Sequence, residues 1–176
     1  MNYSVSEENY IKAIYHLQSE SDMVTTNSLA AELKTRPASV TDMMKKLKAK
    51  KLIRYQPYYG FRLSPEGTRI AVDIIRRHRL WEYFLSEKLK FEWTEVHEVA
   101  EQLEHVSSKK LIDKLDEYLQ FPKFDPHGDP IPDSNGHIEK GNAFPLPLAD
   151  GNKPVLVTHV ANQSNDMLEL LSLRNI

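Results

Sequence analysis

The sequence contains no cysteine, so disulfides and thiolate metal sites are excluded, and any metal it holds must rest on nitrogen and oxygen donors. It contains no run of about 18 apolar residues, the length a membrane-spanning helix needs. The first residues, Met1-Asn2-Tyr3-Ser4-Val5-Ser6, lack the basic and apolar stretches of a secretory signal. These absences lead us to expect a cytoplasmic protein with no membrane partner.

What is present suits a folded chain. Of 176 residues, 40% are hydrophobic and 27% charged, enough for one large domain or two small ones. The net charge of -2 hides an asymmetry. Residues 1–90 hold 16 Lys+Arg against 10 Asp+Glu, a balance of +6; the other 86 hold 7 against 15, a balance of -8. A basic half beside an acidic half points to a polyanion partner at one end and a different task at the other.

Apolar spacing through Tyr10, Ile11, Ile14, Tyr15 and Leu17 predicts an amphipathic helix, with Ser6 as its N-cap. Thr26 or Asn27 would cap a short helix carrying Leu29, Ala30 and Leu33. After the turn Thr35-Arg36-Pro37 comes a third helix, with Val40, Met43, Met44 and Leu47 facing inward. The period then shortens. Leu52–Gln56 and Gly60–Ser64 read as two strands joined by Pro57-Tyr58-Tyr59-Gly60. Ser64-Pro65 restarts a helix expected to reach about Leu89, and two more fit 94–106 and 107–120. Glycine and proline concentrate over 121–154, which reads as a linker or extended loop. Beyond it, Val155–Val160 resembles a buried strand and Met167–Leu171 a short helix.

Helix, helix, turn, helix and a two-stranded ribbon is the order of a winged helix-turn-helix, whose recognition helix enters the major groove of double-stranded DNA. Its first residues would be Ala38, Ser39, Thr41 and Asp42. Ser39 and Thr41 could donate to phosphates, Ala38 could touch a thymine methyl, and Asp42 could accept from a cytosine amino group. Residues 34–54 carry eight Lys+Arg, including Arg36, Lys45 and Lys46, against the one acid Asp42. Such a cluster neutralises phosphates and releases counterions. Arg62, Tyr58 and Tyr59 would sit on the wing.

A second signal lies downstream. His97, Glu101, Glu104 and His105 fall at i, i+4, i+7 and i+8, within roughly a third of a helix circumference. Upstream, His78 and Glu82 are four apart. Helical i, i+4 pairs aim donors together, so these six can form one or two metal sites. Their nitrogen and oxygen donors suit Mn(II), Fe(II), Co(II) or Zn(II). His16, His127, His137 and His159 show no comparable spacing and read as surface or turn residues.

The residues so assembled resemble the diphtheria toxin repressor family of iron- and manganese-dependent repressors, including the manganese transport regulators. Glu8-Asn9-Tyr10-Ile11 resembles its first helix and Arg36-Pro37-Ala38-Ser39-Val40-Thr41 its recognition-helix entry. Arg77-His78-Arg79-Leu80-Trp81-Glu82 and Val96-His97-Glu98 through Glu104-His105-Val106 resemble the ligand-bearing segments, and His127-Gly128-Asp129-Pro130-Ile131-Pro132 the loop after the dimerisation helices. The resemblance implies a homodimer that binds operator DNA when metal-loaded and represses metal-uptake genes. It implies a mainly α fold with a small β-wing: a winged helix-turn-helix over 1–70, a helical metal-binding and dimerisation domain over 71–140, and a linker with a partial SH3-like segment over 141–176. It assigns His78, Glu82 and His97 to one site and Glu101, Glu104 and His105 to another. Glutamate at 101 favours Mn(II) over Fe(II), with Zn(II) or Co(II) expected to bind in vitro. Two positions depart from the family: Asn9 stands where Met or Asp usually ligates, and Lys12 where an acid is used. Gln163 and Asp166 are implied as further ligands. The mechanism expected is metal cross-linking the first helix to the helices of residues 68–105, with metal and DNA binding coupled by about 1–3 kcal/mol.

Two other classes compete. A winged-helix regulator sensing a small molecule would leave the histidines incidental. A metal-dependent hydrolase would need an open coordination position with a base beside it, and no residue outside the ligand set stands out as that base.

Overall fold

The computed structural model describes residues 3–92, 95–106, 108–139, 144–151, 154–157, 170, 173 and 174. The chain divides into two compact units, Met1–Ile75 and Arg76–Ile176.

In the first unit, helix α1 spans Val5–Glu20. Its N-cap is Ser4, not Ser6: the Ser4 hydroxyl accepts from Glu7 N while the Glu7 carboxylate accepts from Ser4 N at 3.0 Å. Only Ser4 has an acid three residues on, and that reciprocal pair satisfies two otherwise orphaned donors. Helix α2, Thr26–Glu32, likewise begins one residue earlier than expected, on Thr25, whose partner is Ser28. Helix α3, Pro37–Ala49, has proline at its first position, where the missing N–H has no helical partner to lose. It buries Val40, Met44 and Leu47.

The wing is an antiparallel pair, β1 (Ile53–Gln56) and β2 (Gly60–Leu63), in the register Ile53↔Leu63, Arg54↔Arg62, Tyr55↔Phe61 and Gln56↔Gly60. Val24 docks on its far edge: Val24 N donates to Phe61 O at 2.9 Å and Phe61 N to Val24 O at 3.0 Å. Gly60 is required by this docking. Its φ is +121°, and a Cβ there would lie 2.3 Å from Val24 O. An apolar core runs from Tyr10 and Ile11 through Leu29, Val40, Leu47 and Phe61 to Ile74.

Helix α4 covers Pro65–Glu87, opened by Ser64, whose hydroxyl accepts from Gly67 N at 3.1 Å. It stops two residues short of Leu89. In the second unit α5 spans Val96–Val106 and α6 spans Lys109–Tyr118, the latter capped by Ser108. The apolar clusters here are smaller: Leu80, Ile112, Leu115, Leu119 and Ile131 in one, Leu85, Val96 and Ala100 in another. Charge fills the remaining interior. Arg76 of α4 donates to Asp113 at 3.1 Å and Asp116 at 2.7 Å on α6.

The segment after α6 is ordered by polar contacts. Asp125 Oδ1 accepts from the backbone N–H of His127 and Asp129 at 2.8 and 2.9 Å. Arg79 of α4 donates to Pro130 O at 2.6 Å and lies 3.3 Å from an Asp129 oxygen. Of the buried strand expected over 155–160, Val155, Leu156 and Val157 are exposed and outside any strand; residues 158–160 lie outside the described residues. So do Gln163, Asp166 and, apart from Leu170, the 167–171 helix, and with them most of the expected SH3-like segment. Among the described residues, no helix is long and apolar enough to cross a membrane.

Candidate metal centre and DNA-binding face

Helix α3 presents the expected recognition surface. Arg36, Ala38, Ser39, Thr41, Asp42, Lys45 and Lys46 are all exposed, because burying Val40, Met44 and Leu47 turns the other side of the helix to solvent. Two of these side chains have partners within the helix. Thr41 Oγ1 donates to Pro37 O at 3.0 Å, and Lys45 Nζ lies 3.0 Å from Asp42 Oδ1. The latter pair is exposed, so it holds weakly against a competing phosphate. Lys50, counted in the basic cluster, is committed elsewhere: its Nζ is 2.6 Å from Glu7 Oε1. Arg62 projects from β2 into solvent. Tyr58 and Tyr59 are exposed on the wing, Tyr58 in left-handed backbone at φ +68°.

All six expected metal-ligating side chains of the second unit converge. His78 and Glu82 come from consecutive turns of α4, the other four from α5. Glu82 Oε1 lies 2.9 Å from His78 Nε2 and 3.1 Å from His97 Nδ1, and those two nitrogens are 3.1 Å apart. On its other side, His78 Nδ1 is 2.6 Å from Glu104 Oε2. One imidazole thus joins the two groups of donors. His97 Nε2 lies 3.8 Å from Glu101 Oε1, and His105 Nε2 3.4 Å from Glu104 Oε1. Glu101 stands between the groups. Its carboxylate gathers within 4.8 Å of donor atoms of His78 and His97, and equally with those of Glu104 and His105. The family resemblance implied a place for it in the second set alone.

Electrostatics reflect this crowding. Burial pushes the Glu82 carboxyl up, but hydrogen bonds from His78 and His97 and the histidine charges outweigh it, leaving the group well below the usual carboxylate range. Glu104 is fully buried. Donors packed about one cation at about 2.0–2.2 Å lie about 3–4 Å from each other, close to the 2.9–3.8 Å found except between His78 Nδ1 and Glu104 Oε2, which are 2.6 Å apart. Mixed imidazole and carboxylate donors, with His78, Glu82 and Glu104 buried and His97 exposed, fit a divalent transition ion.

Sequence spacing missed His127. It is 4% exposed, and its Nε2 is 3.7 Å from Glu82 Oε1. Burial lowers its pKa, favouring the neutral form that can ligate. A turn, not a helix, delivers it, so no periodicity announces it. The signal available was Asp125, an acid directly before a Pro-His-Gly-Asp turn, whose carboxylate organises that turn. Asp125 is itself pushed up to about 7, chiefly by burial and then by the Glu82 charge. His16 and His137 are exposed, as expected; His159 lies outside the described residues. Asn9, on α1 of the first unit, has a buried Oδ1 with no hydrogen-bond partner among the described residues.

Residues 3–61 match the family described as iron dependent repressor, N-terminal DNA binding domain, and residues 64–133 the iron dependent repressor metal binding and dimerisation domain. The HTH-type transcriptional regulator MntR of Listeria monocytogenes is 33% identical over 126 residues, 72% of this chain and 87% of that protein. The diphtheria toxin repressor of Corynebacterium glutamicum is 28% identical over 171 residues, 93% of this chain and 73% of that protein. Among solved structures, a manganese-dependent transcriptional repressor in complex with manganese superposes with a TM-score of 0.85 at 32% identity, covering 97% of this chain and 78% of the other. ScaR with bound Cd2+ superposes with a TM-score of 0.81 at 32% identity, covering 96% and 79%.

Proposed function

The chain belongs to the iron-dependent repressor family, and from that premise we propose that it represses metal-uptake genes with Mn(II) as its preferred co-repressor. The observation that carries this reading is the convergence of His78, Glu82, His97, Glu101, Glu104 and His105 in one unit of a chain whose other unit is a winged helix-turn-helix. We assign residues 1–70 to DNA binding and 71–140 to metal binding and dimerisation, so that the working form is a homodimer on a two-fold operator.

A bound divalent ion would supply positive charge among the carboxylates of Glu82, Glu101 and Glu104. His78, Glu82, His97 and His127 form one donor group and Glu101, Glu104 and His105 the other. Asn9 is the candidate donor of the first unit, on the ground of its buried, unpartnered Oδ1. The preference for Mn(II) over Fe(II) rests on an all-nitrogen-and-oxygen donor set rich in carboxylate. Ser39 and Ala38 of α3 approach the bases, while Arg36 at its N-cap, Lys45 and Lys46 on α3 and Arg62 on β2 neutralise phosphates.

The test is operator binding, on a fragment selected from a random pool, titrated with Mn(II), Fe(II) and Zn(II) against a chelator. We expect tightening of about 5–150-fold with metal, greatest with Mn(II). Equal binding with and without metal would overturn the reading. Replacing Glu101 and His105 by Ala should abolish the metal response while leaving the chelated protein's weak DNA binding intact; a small-molecule sensor would keep its response.

A further inference from the structure

The candidate ligand His78 stands between two arginines of α4, and each ties a different segment to that helix. Arg77 Nη1 donates to the backbone carbonyl of Glu104, on α5, at 2.6 Å. Arg79 Nη1 donates to that of Pro130, just beyond the turn that carries His127, also at 2.6 Å. The Arg79 tie orders a turn already described. The Arg77 tie differs, because it falls on a residue whose own side chain is among the metal donors. His78 Nδ1 lies 2.6 Å from Glu104 Oε2. Two successive residues of α4 therefore hold Glu104 at two points, one on the main chain and one on the carboxylate.

The main-chain hold answers a specific need. α5 ends at Val106, so the Glu104 carbonyl lies in the last turn, where carbonyls have no N–H of their own helix to meet. Glu104 is 0% exposed and Arg77 8%, so water is a poor substitute, and a buried carbonyl left bare is costly. A guanidinium supplies a charge-assisted bond and sets a cation at the negative end of the helix. This bond is to the main chain and takes none of the lone pairs of the carboxylate. Nor can the last turn of α5 fray or rotate without taking a partner from a buried guanidinium. That turn carries both Glu104 and His105, whose Nε2 is 3.4 Å from Glu104 Oε1.

We propose that Arg77 is a positioning residue of the metal centre: by holding the last turn of α5, it sets Glu104 and His105 in place before an ion arrives. This rests on the metal-binding reading above. An ion that meets ordered donors does not have to order them, so the tie is expressed as metal affinity.

The test uses the full chain and Mn(II) alone, with free Mn(II) followed by electron paramagnetic resonance as protein is added. Arg77→Met should weaken Mn(II) binding about 10–100-fold. Arg77→Lys keeps one cationic donor on a shorter reach, without the planar fork. It should lose several-fold, and it carries the test if Arg77→Met does not fold. In the metal-free variants, amide hydrogen exchange over residues 103–106 should quicken while that of α6 stays unchanged. Ile112→Val and Ile112→Ala, in an apolar cluster of the same unit, relate lost stability, read as the urea midpoint, to lost Mn(II) affinity. The arginine variants should lose more affinity than that relation allows. Wild-type affinity in either arginine variant would overturn the proposal. So would losses that fall on the Ile112 relation, which mark a structural role, or unchanged exchange over 103–106. Wild-type protein that took up no Mn(II) would overturn the metal-binding reading itself.

Discussion

The two units put charge in opposite places. Between Tyr10 and Ile74 the first unit closes a contiguous apolar core, and the basic side chains of α3 and the wing stand in water. The second unit buries Arg76, Arg77, His78, Glu82, Glu104, Asp116, Asp125 and His127 around modest apolar clusters. A core of the first kind is held by area removed from water. A core of the second kind is held by groups that must stay matched, since a buried charge left without its partner costs several kcal/mol. Loss of one buried partner should therefore cost the second unit more than the first.

The comparison breaks most readily at Phe61, which is 2% exposed and anchors both the wing and the core. Phe61→Ala should cost about 3–5 kcal/mol, measured by urea unfolding followed by circular dichroism. A loss under 1 kcal/mol would show that the first unit does not depend on its apolar core. Next in size, Mn(II) at a hundredfold excess over its dissociation constant should add about 2.7 kcal/mol. Trp81, in the second unit, provides the fluorescence signal, and a chelator should remove the increment. In Glu104→Ala the increment should vanish; its survival would place the metal elsewhere. Smaller again, Ser4→Ala should cost about 1 kcal/mol, in the first unit only and independent of metal.

The smallest effect is a pH dependence of the first unit. The hydrogen bond from Lys50 holds Glu7 below its ordinary 4.5, despite burial. A carboxyl lowered in the folded state contributes stability above its unfolded value and loses it as pH falls through the folded one. Wild type should therefore lose slightly more stability than Glu7→Gln between pH 6 and pH 3. Parallel curves would remove this contact from the account.

How much the sequence revealed depended on how local each contact is. Helices α1 to α6 and the wing were legible because periodicity and turn residues act over a few positions. The first-turn caps slipped by one or two residues because Ser4 and Thr25 each compete with hydroxyl or amide neighbours, and only the reciprocal partner decides. The convergence of His97, Glu101, Glu104 and His105 within α5 was readable as a helical stripe. The link from His78 to Glu104 was not, since it crosses 26 residues and depends on how α4 meets α5. His127 was missed for the same reason in stronger form: a turn, tied down by Asp125 and Arg79, places it beside Glu82.

The ties that close the second unit are long in sequence. Arg76 reaches across 37 and 40 residues to Asp113 and Asp116, and Arg79 across 51 to Pro130. Closing such loops is slow, because chain entropy is lost before the contact is gained. During synthesis, the first unit has its whole core once Ile74 has emerged, whereas the donor group at Glu82 waits for His127. A newly made chain will therefore pass through an interval in which its first unit can close and its second cannot.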